Sequence, residues 1–131
     1  MSTRIFRLTV DDHIMIAHSL QSPFFGPAQG LHGATLSIHA TFERAGLDEH
    51  GVVMDIGEAT GLLDQALAPL RYANLDERPE FEGTYSTTEK VIEHIAETLT
   101  SQLPEGHGLR ALEVEAEEHP RARAEVRVEL V

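Results

Sequence analysis

Residues 34–43 read Ala-Thr-Leu-Ser-Ile-His-Ala-Thr-Phe-Glu, and their alternation decides the fold. Ala34, Leu36, Ile38, Ala40 and Phe42 share one side of an extended chain, and Thr35, Ser37, His39, Thr41 and Glu43 share the other. A period of two with one apolar side is the pattern of a half-buried β-strand. Upstream, Phe6, Leu8 and Val10 alternate with Arg7 and Thr9, and the same parity runs through Ile14 and Ile16 to His18. Between these two strands, Ser22-Pro-Phe-Phe-Gly-Pro-Ala28 carries two prolines and a glycine and reads as a loop.

Downstream the period changes. Asp48-Glu-His-Gly51 makes a turn and Asp55 is placed to cap a helix, along which Ile56, Ala59, Leu63, Ala66, Leu67 and Leu70 recur at helical spacing. Pro69 limits that helix. Arg71 to Tyr85 reads as a long irregular connection. Ser86-Thr-Thr-Glu89 has the pattern of a capping box with Ser86 as N-cap, opening a second helix with Val91, Ile92, Ile95, Ala96 and Leu99 on its apolar side. Two alternating strands close the chain, one through Leu112, Val114 and Ala116, the other through Ala122, Ala124, Val126, Val128 and Leu130. The order β-β-α-α-β-β predicts an α+β fold: an antiparallel four-stranded sheet with two helices on one face. Such a sheet has open edges, which oligomerisation would pair.

Composition narrows the function classes. A chain of 131 residues, 41% of them hydrophobic, is expected to form one domain over residues 1–131. It has no cysteine, so disulfides, thiolate metal sites and a cysteine nucleophile are excluded. Ten basic residues against 22 acidic ones give a net charge of −12, which argues against nucleic acid and anionic membranes as partners. No apolar stretch approaches the ~20 residues of a membrane span, and Met1–Phe6 is too short and polar for a signal peptide. A cytoplasmic protein is the expectation.

Eight histidines are the main chemical resource. His13, His50, His94 and His107 stand in polar or turn-like surroundings and read as solvated. His18 and His32 follow the apolar parity of their strands and should point to the buried face. Two inward histidines on neighbouring strands either hold a metal through neutral imidazole nitrogens or form a hydrogen-bonded core pair, and spacing leaves both open.

Several short motifs, in order, resemble those of the 6-pyruvoyl tetrahydropterin synthase family, which includes the 6-carboxytetrahydropterin synthases. They are Ala17-His18, Leu31-His32-Gly33, Gly51-Val-Val-Met-Asp55, Asn74-Leu75-Asp76, Ser86-Thr-Thr-Glu89 and Val114-x-Ala116-x-Glu118. The resemblance covers nearly the whole chain. It implies the T-fold, whose subunits join edge to edge into a barrel and stack as two rings, so that a homo-oligomer of six subunits is expected, with the pterin site between subunits. It also implies a lyase-type activity and three histidine ligands for zinc.

The sequence departs from the family where the chemistry sits. The family's cysteine position is Ala28, its third histidine ligand is Ala34, and its Asp-His pair is Arg71-Tyr72. The resemblance therefore implies His18 and His32 as metal ligands and leaves the third to Tyr72, Glu118 or a neighbouring subunit. It implies Glu118 as the carboxylate that accepts paired hydrogen bonds from an aminopyrimidine edge, with Thr87 and Thr88 on the same ring. Tyr72, beside Arg71, is a new group with proton chemistry, and with His32 it is a candidate catalytic residue. Arg71 suits a phosphate or carboxylate of a ligand. With these losses, little turnover of dihydroneopterin triphosphate by the family reaction is expected. The competing reading is a non-catalytic pterin- or purine-binding oligomer or a scaffold.

Overall fold

The computed structural model describes residues 2–130. Its strands are β1 (Ile5–His18), β2 (His32–Ala45), β3 (Ala111–His119) and β4 (Ala122–Glu129), and its helices are α1 (Ile56–Leu67) and α2 (Thr88–Gln102). All neighbours in the sheet are antiparallel and the order is β1-β2-β3-β4, so β1 and β4 are its edges. The alternation at Ala34–Phe42 thus lies at the centre of the sheet. The β1–β2 register runs without a break from Ile5 opposite Ala45 to His18 opposite His32.

Even-numbered side chains of the sheet face the helices. Ile14, Ile16, Leu36, Ile38, Phe42, Leu112 and Val114 form one core with Leu63 and Leu67 of α1 and Ile92, Ile95 and Leu99 of α2. Burial of one such side chain contributes about 1.5–3 kcal/mol, so this stripe is what fixes the register. Cover is uneven along the edges. Leu8 and Val10 of β1 are only half-buried and Phe6 is exposed, as helical cover reaches β1 only towards Ile14 and Ile16. On β4, Ala124, Val126 and Val128 are likewise half-buried.

Local details differ from the sequence reading in several places. Ile56 belongs to the apolar spacing of α1 but is exposed, because it sits in the first turn, beyond the sheet. α1 ends at Leu67 and continues as one 3-10 turn over Ala68–Leu70, since Pro69 has no amide hydrogen to donate. The stretch 71–85 is not a free connection. It runs against the end of β1, where the Ala17 amide donates to the Ala73 carbonyl at 3.0 Å, and it buries Leu75 and Phe81. The cap of α2 is Thr87, whose hydroxyl accepts from the Lys90 amide at 3.2 Å, so the expected box with Ser86 as N-cap does not form. Ser86 is turned inward instead. His94 and His107 are half-buried rather than solvated: His94 meets the edge of Phe81, and His107 Nδ1 accepts from the Leu109 amide.

The other face of the sheet is charged. Glu43, near the end of β2, is 5% exposed although it is ionic. Arg7 and Arg127 reach it from the two edge strands, each at 2.7 Å, and Arg110 at 3.3 Å. Glu113 shares Arg7 and Arg127 with it. Three guanidinium groups surround this one carboxylate, and two of them, Arg127 first and then Arg7, hold its pKa down to about 2 against the opposing effect of burial.

Candidate functional site

The site grows from the end of the β1–β2 pair. His18 and His32 are cross-strand partners, and their rings meet edge to face with centroids 4.7 Å apart. His18 is 5% exposed. Its Nδ1 lies 2.8 Å from the Ser86 carbonyl and 3.1 Å from the Ser86 hydroxyl. A carbonyl only accepts, so Nδ1 carries the proton and Nε2 keeps its lone pair. His32 repeats the arrangement, with Nδ1 at 2.8 Å from the Gly30 carbonyl. Both rings are thus held by their inner nitrogen and offer the outer one, the way supporting groups orient a working histidine. Burial pushes the His18 pKa below its ordinary value, and His32 pushes the same way. The Ser86 hydrogen bond and the charges of Glu118 and Asp76 oppose it.

Ser86 is a residue whose role the sequence reading missed. Two hydroxyls in succession before Thr88 could each have capped α2. Only packing sends Thr87 to the helix and Ser86 to His18. Asp76 was visible only as part of a motif. Its carboxylate accepts from the Ser19 amide at 3.1 Å and from the Ser19 hydroxyl at 2.6 Å, clipping the 71–85 segment to the chain just after β1.

Two clefts flank the Ser86–Thr88 segment. The larger, about 550 Å³, is lined by Ser19, Asp76, Glu82, Tyr85 and Ser86, among others. The smaller, about 120 Å³, is lined by Thr88, Glu89, Glu118 and Arg123, among others. In it the Thr88 hydroxyl donates to Glu118 Oε2 at 3.3 Å. A shift of register between Glu117 and His119 loosens β3 here, and Glu118 stands exposed at the strand's end. Glu118, Thr88, His18 and His32 therefore lie in one region of the molecule. Thr87 contributes its hydroxyl to the helix cap.

Arg71 and Tyr72 are placed elsewhere. They line a depression over Asp12, His13 and Met15. Arg71 is engaged by Asp12 at 2.8 Å and by Asp64 at 2.9 Å. Tyr72 is 83% exposed and takes a left-handed backbone, φ 57°, which delivers its amide to the Met15 carbonyl at 2.7 Å. Neither joins Glu118.

The sequence matches the family model for 6-pyruvoyl tetrahydropterin synthase over residues 7–129. The chain belongs to the 6-pyruvoyl tetrahydropterin synthase family. Its fold is the T-fold of that family. The Caenorhabditis elegans 6-pyruvoyl tetrahydropterin synthase superposes with a TM-score of 0.84 at 24% identity, covering 98% of this chain and 100% of that one. The Plasmodium vivax enzyme, in a form mutated at a catalytic residue, gives 0.79 at 16% identity, covering 97% and 99%. A dihydroneopterin aldolase from Burkholderia thailendensis, bound to guanine, gives 0.50 at 14% identity, covering 98% and 91%. At these identities the likenesses establish the fold. No curated protein sequence is a significant match.

Family membership raises the question of a metal. His18 and His32 present two nitrogens, and Ala34, two residues along β2, presents none. Among the described residues no third histidine or carboxylate joins them within ligand distance of one another. The one group of three such donors there is Asp48, Glu49 and His50, in the turn after β2. Asp48 is in use within that turn, accepting from the amides of His50 and Val52. Zinc sites in proteins have at least three protein ligands, so the His18–His32 pair of one chain does not fit zinc. Among the described residues no helix is long and apolar enough to cross a membrane.

Proposed function

We propose that this chain binds a pterin- or purine-type aminopyrimidine ring at Glu118 and acts on it as a lyase-type enzyme with altered acid–base groups, in a homo-oligomer of six subunits. The observation that carries the reading is the Glu118 carboxylate, steadied by the Thr88 hydroxyl at 3.3 Å and close enough for its charge to act on His18. A carboxylate matches two parallel N–H donors of an aminopyrimidine, and charge-assisted bonds of this kind are the strong ones. Thr87 and Thr88 would meet the same ring through backbone and hydroxyl groups. His32 Nε2 would take a proton from the ring's substituent, with the His18 ring at its side held by Ser86. The half-buried apolar residues of β1 and β4 support edge-to-edge assembly, which would cover them. In such a ring Tyr72, open to solvent here, would act only across a subunit boundary, and zinc would need a ligand from the neighbouring subunit.

The loss of a thiol at Ala28 and of a basic side chain at Ala34 favours a second reading, ring binding without turnover. Both readings predict that Glu118→Gln weakens binding of pterin by about 10- to 100-fold, the value of a hydrogen bond to a charged group. Titration calorimetry on the purified oligomer measures this, and an unchanged affinity would remove Glu118 from the site. Turnover then separates the two. In the first reading His32→Ala abolishes product formation and keeps the ring bound. In the second, the unaltered protein binds pterin and forms no product.

A further inference from the structure

Charge around the site restricts what it can accept. Asp76 and Glu82 line the larger cleft, and Glu89 and Glu118 line the smaller, against one cation, Arg123. Arg123 already faces Glu115 at 3.6 Å. The chain's other cations are committed far from the clefts or to their own carboxylates. Arg7, Arg110 and Arg127 converge on Glu43, and Arg71 is held by Asp12 and Asp64. Arg78 pairs with Glu80 and Lys90 with Glu93, while Arg44 donates to the His107 carbonyl. Of the remaining cations among the described residues, Arg4 and Arg121, neither lines either cleft. A second copy of the chain carries the same net charge of −12.

One feature favours anions, the N-terminus of α2, whose free amides and dipole carry partial positive charge. That end is already capped and acidic: the Thr87 hydroxyl accepts from the Lys90 amide, Glu89 lies in the first turn, and Glu118 accepts from the Thr88 hydroxyl beside it. A ligand's phosphate arriving at this end would meet two carboxylates.

We infer that the site selects an uncharged, unphosphorylated aminopyrimidine compound, a free base or a neutral side-chain derivative, and rejects the polyphosphorylated form of the same ring. This rests on the ring binding proposed at Glu118 and names the substrate class within it. Like charges repel across a few ångströms of partly solvated cleft, and salt screens that repulsion.

The test is calorimetry on the purified oligomer with neopterin and neopterin triphosphate, at ionic strengths of ~0.02 M and ~0.2 M, which bracket the range where screening sets in. Neopterin should bind at least about tenfold more tightly than its triphosphate at low salt, and the gap should narrow at high salt. Glu82→Lys, on a loop outside both helices, should move the affinity ratio toward the triphosphate by several-fold. Triphosphate binding as tight as neopterin at low salt overturns the inference and leaves ring binding standing. A ratio unmoved by Glu82→Lys overturns its electrostatic cause. Binding of neither compound removes the Glu118 reading, and the inference falls with it.

Discussion

Replacing Glu43 by Gln removes the charge at the hub of the arginine cluster on the bare sheet face and leaves its shape. The structure sets the size of the effect. The carboxyl is held at about 2 against an ordinary 4.5, and at about 1.36 kcal/mol per pH unit the upper bound is ~3.4 kcal/mol. The partners are open to water, with the side chains of Arg7, Arg127 and Arg110 being 44%, 34% and 48% exposed. Solvent and salt screen such pairs, so the expected loss is ~1–2 kcal/mol at pH 7. The sign in pH follows from linkage. A lowered folded pKa stabilises the protein above the unfolded value, and the contribution disappears as pH falls from 4.5 towards 2. Urea unfolding of Glu43→Gln and the unaltered protein, at matched subunit concentration and at several pH values, measures it. The two curves should separate at pH 7 and converge below 4.5. Equal stability at neutral pH, or a gap that persists in acid, would refute the assignment of this carboxylate as an ionised hub.

His18 gives a second pH signature on the opposite side of the sheet: its pKa is lowered from 6.5, so its contribution is complete above 6.5 and is lost as pH falls through the folded value. Stability should drop on acidification below that point, and His18→Gln, which cannot take up the proton, should flatten that part of the profile measured by thermal unfolding. The half-buried apolar residues of β1 and β4 predict an oligomer by light scattering at micromolar concentration, six subunits in the proposed assembly, and a monomer would contradict it.

The path from sequence to fold was short for the strands. An alternation such as Ala34 to Phe42 has one solution that buries its apolar side, and the same parity places His18 and His32 on one face, where the folded register sets them opposite one another. Helix positions were equally legible, because apolar spacing and the Asp55 cap are local. What periodicity could not decide was anything that needed two distant segments at once. Ser86 and Thr87 are chemically near-equal candidates for one cap, and the choice between them depends on His18, 68 positions away in the chain. Arg71 and Tyr72 occupy a motif position in the sequence, but within one chain their surroundings come from Asp12, Asp64 and Met15, which only folding brings near. Glu43 read as one more polar residue on a strand's outer side. Its three guanidinium partners come from β1, from the residue before β3 and from β4, and a carboxylate's pKa is a property of what folding places around it, which no local pattern in the sequence encodes.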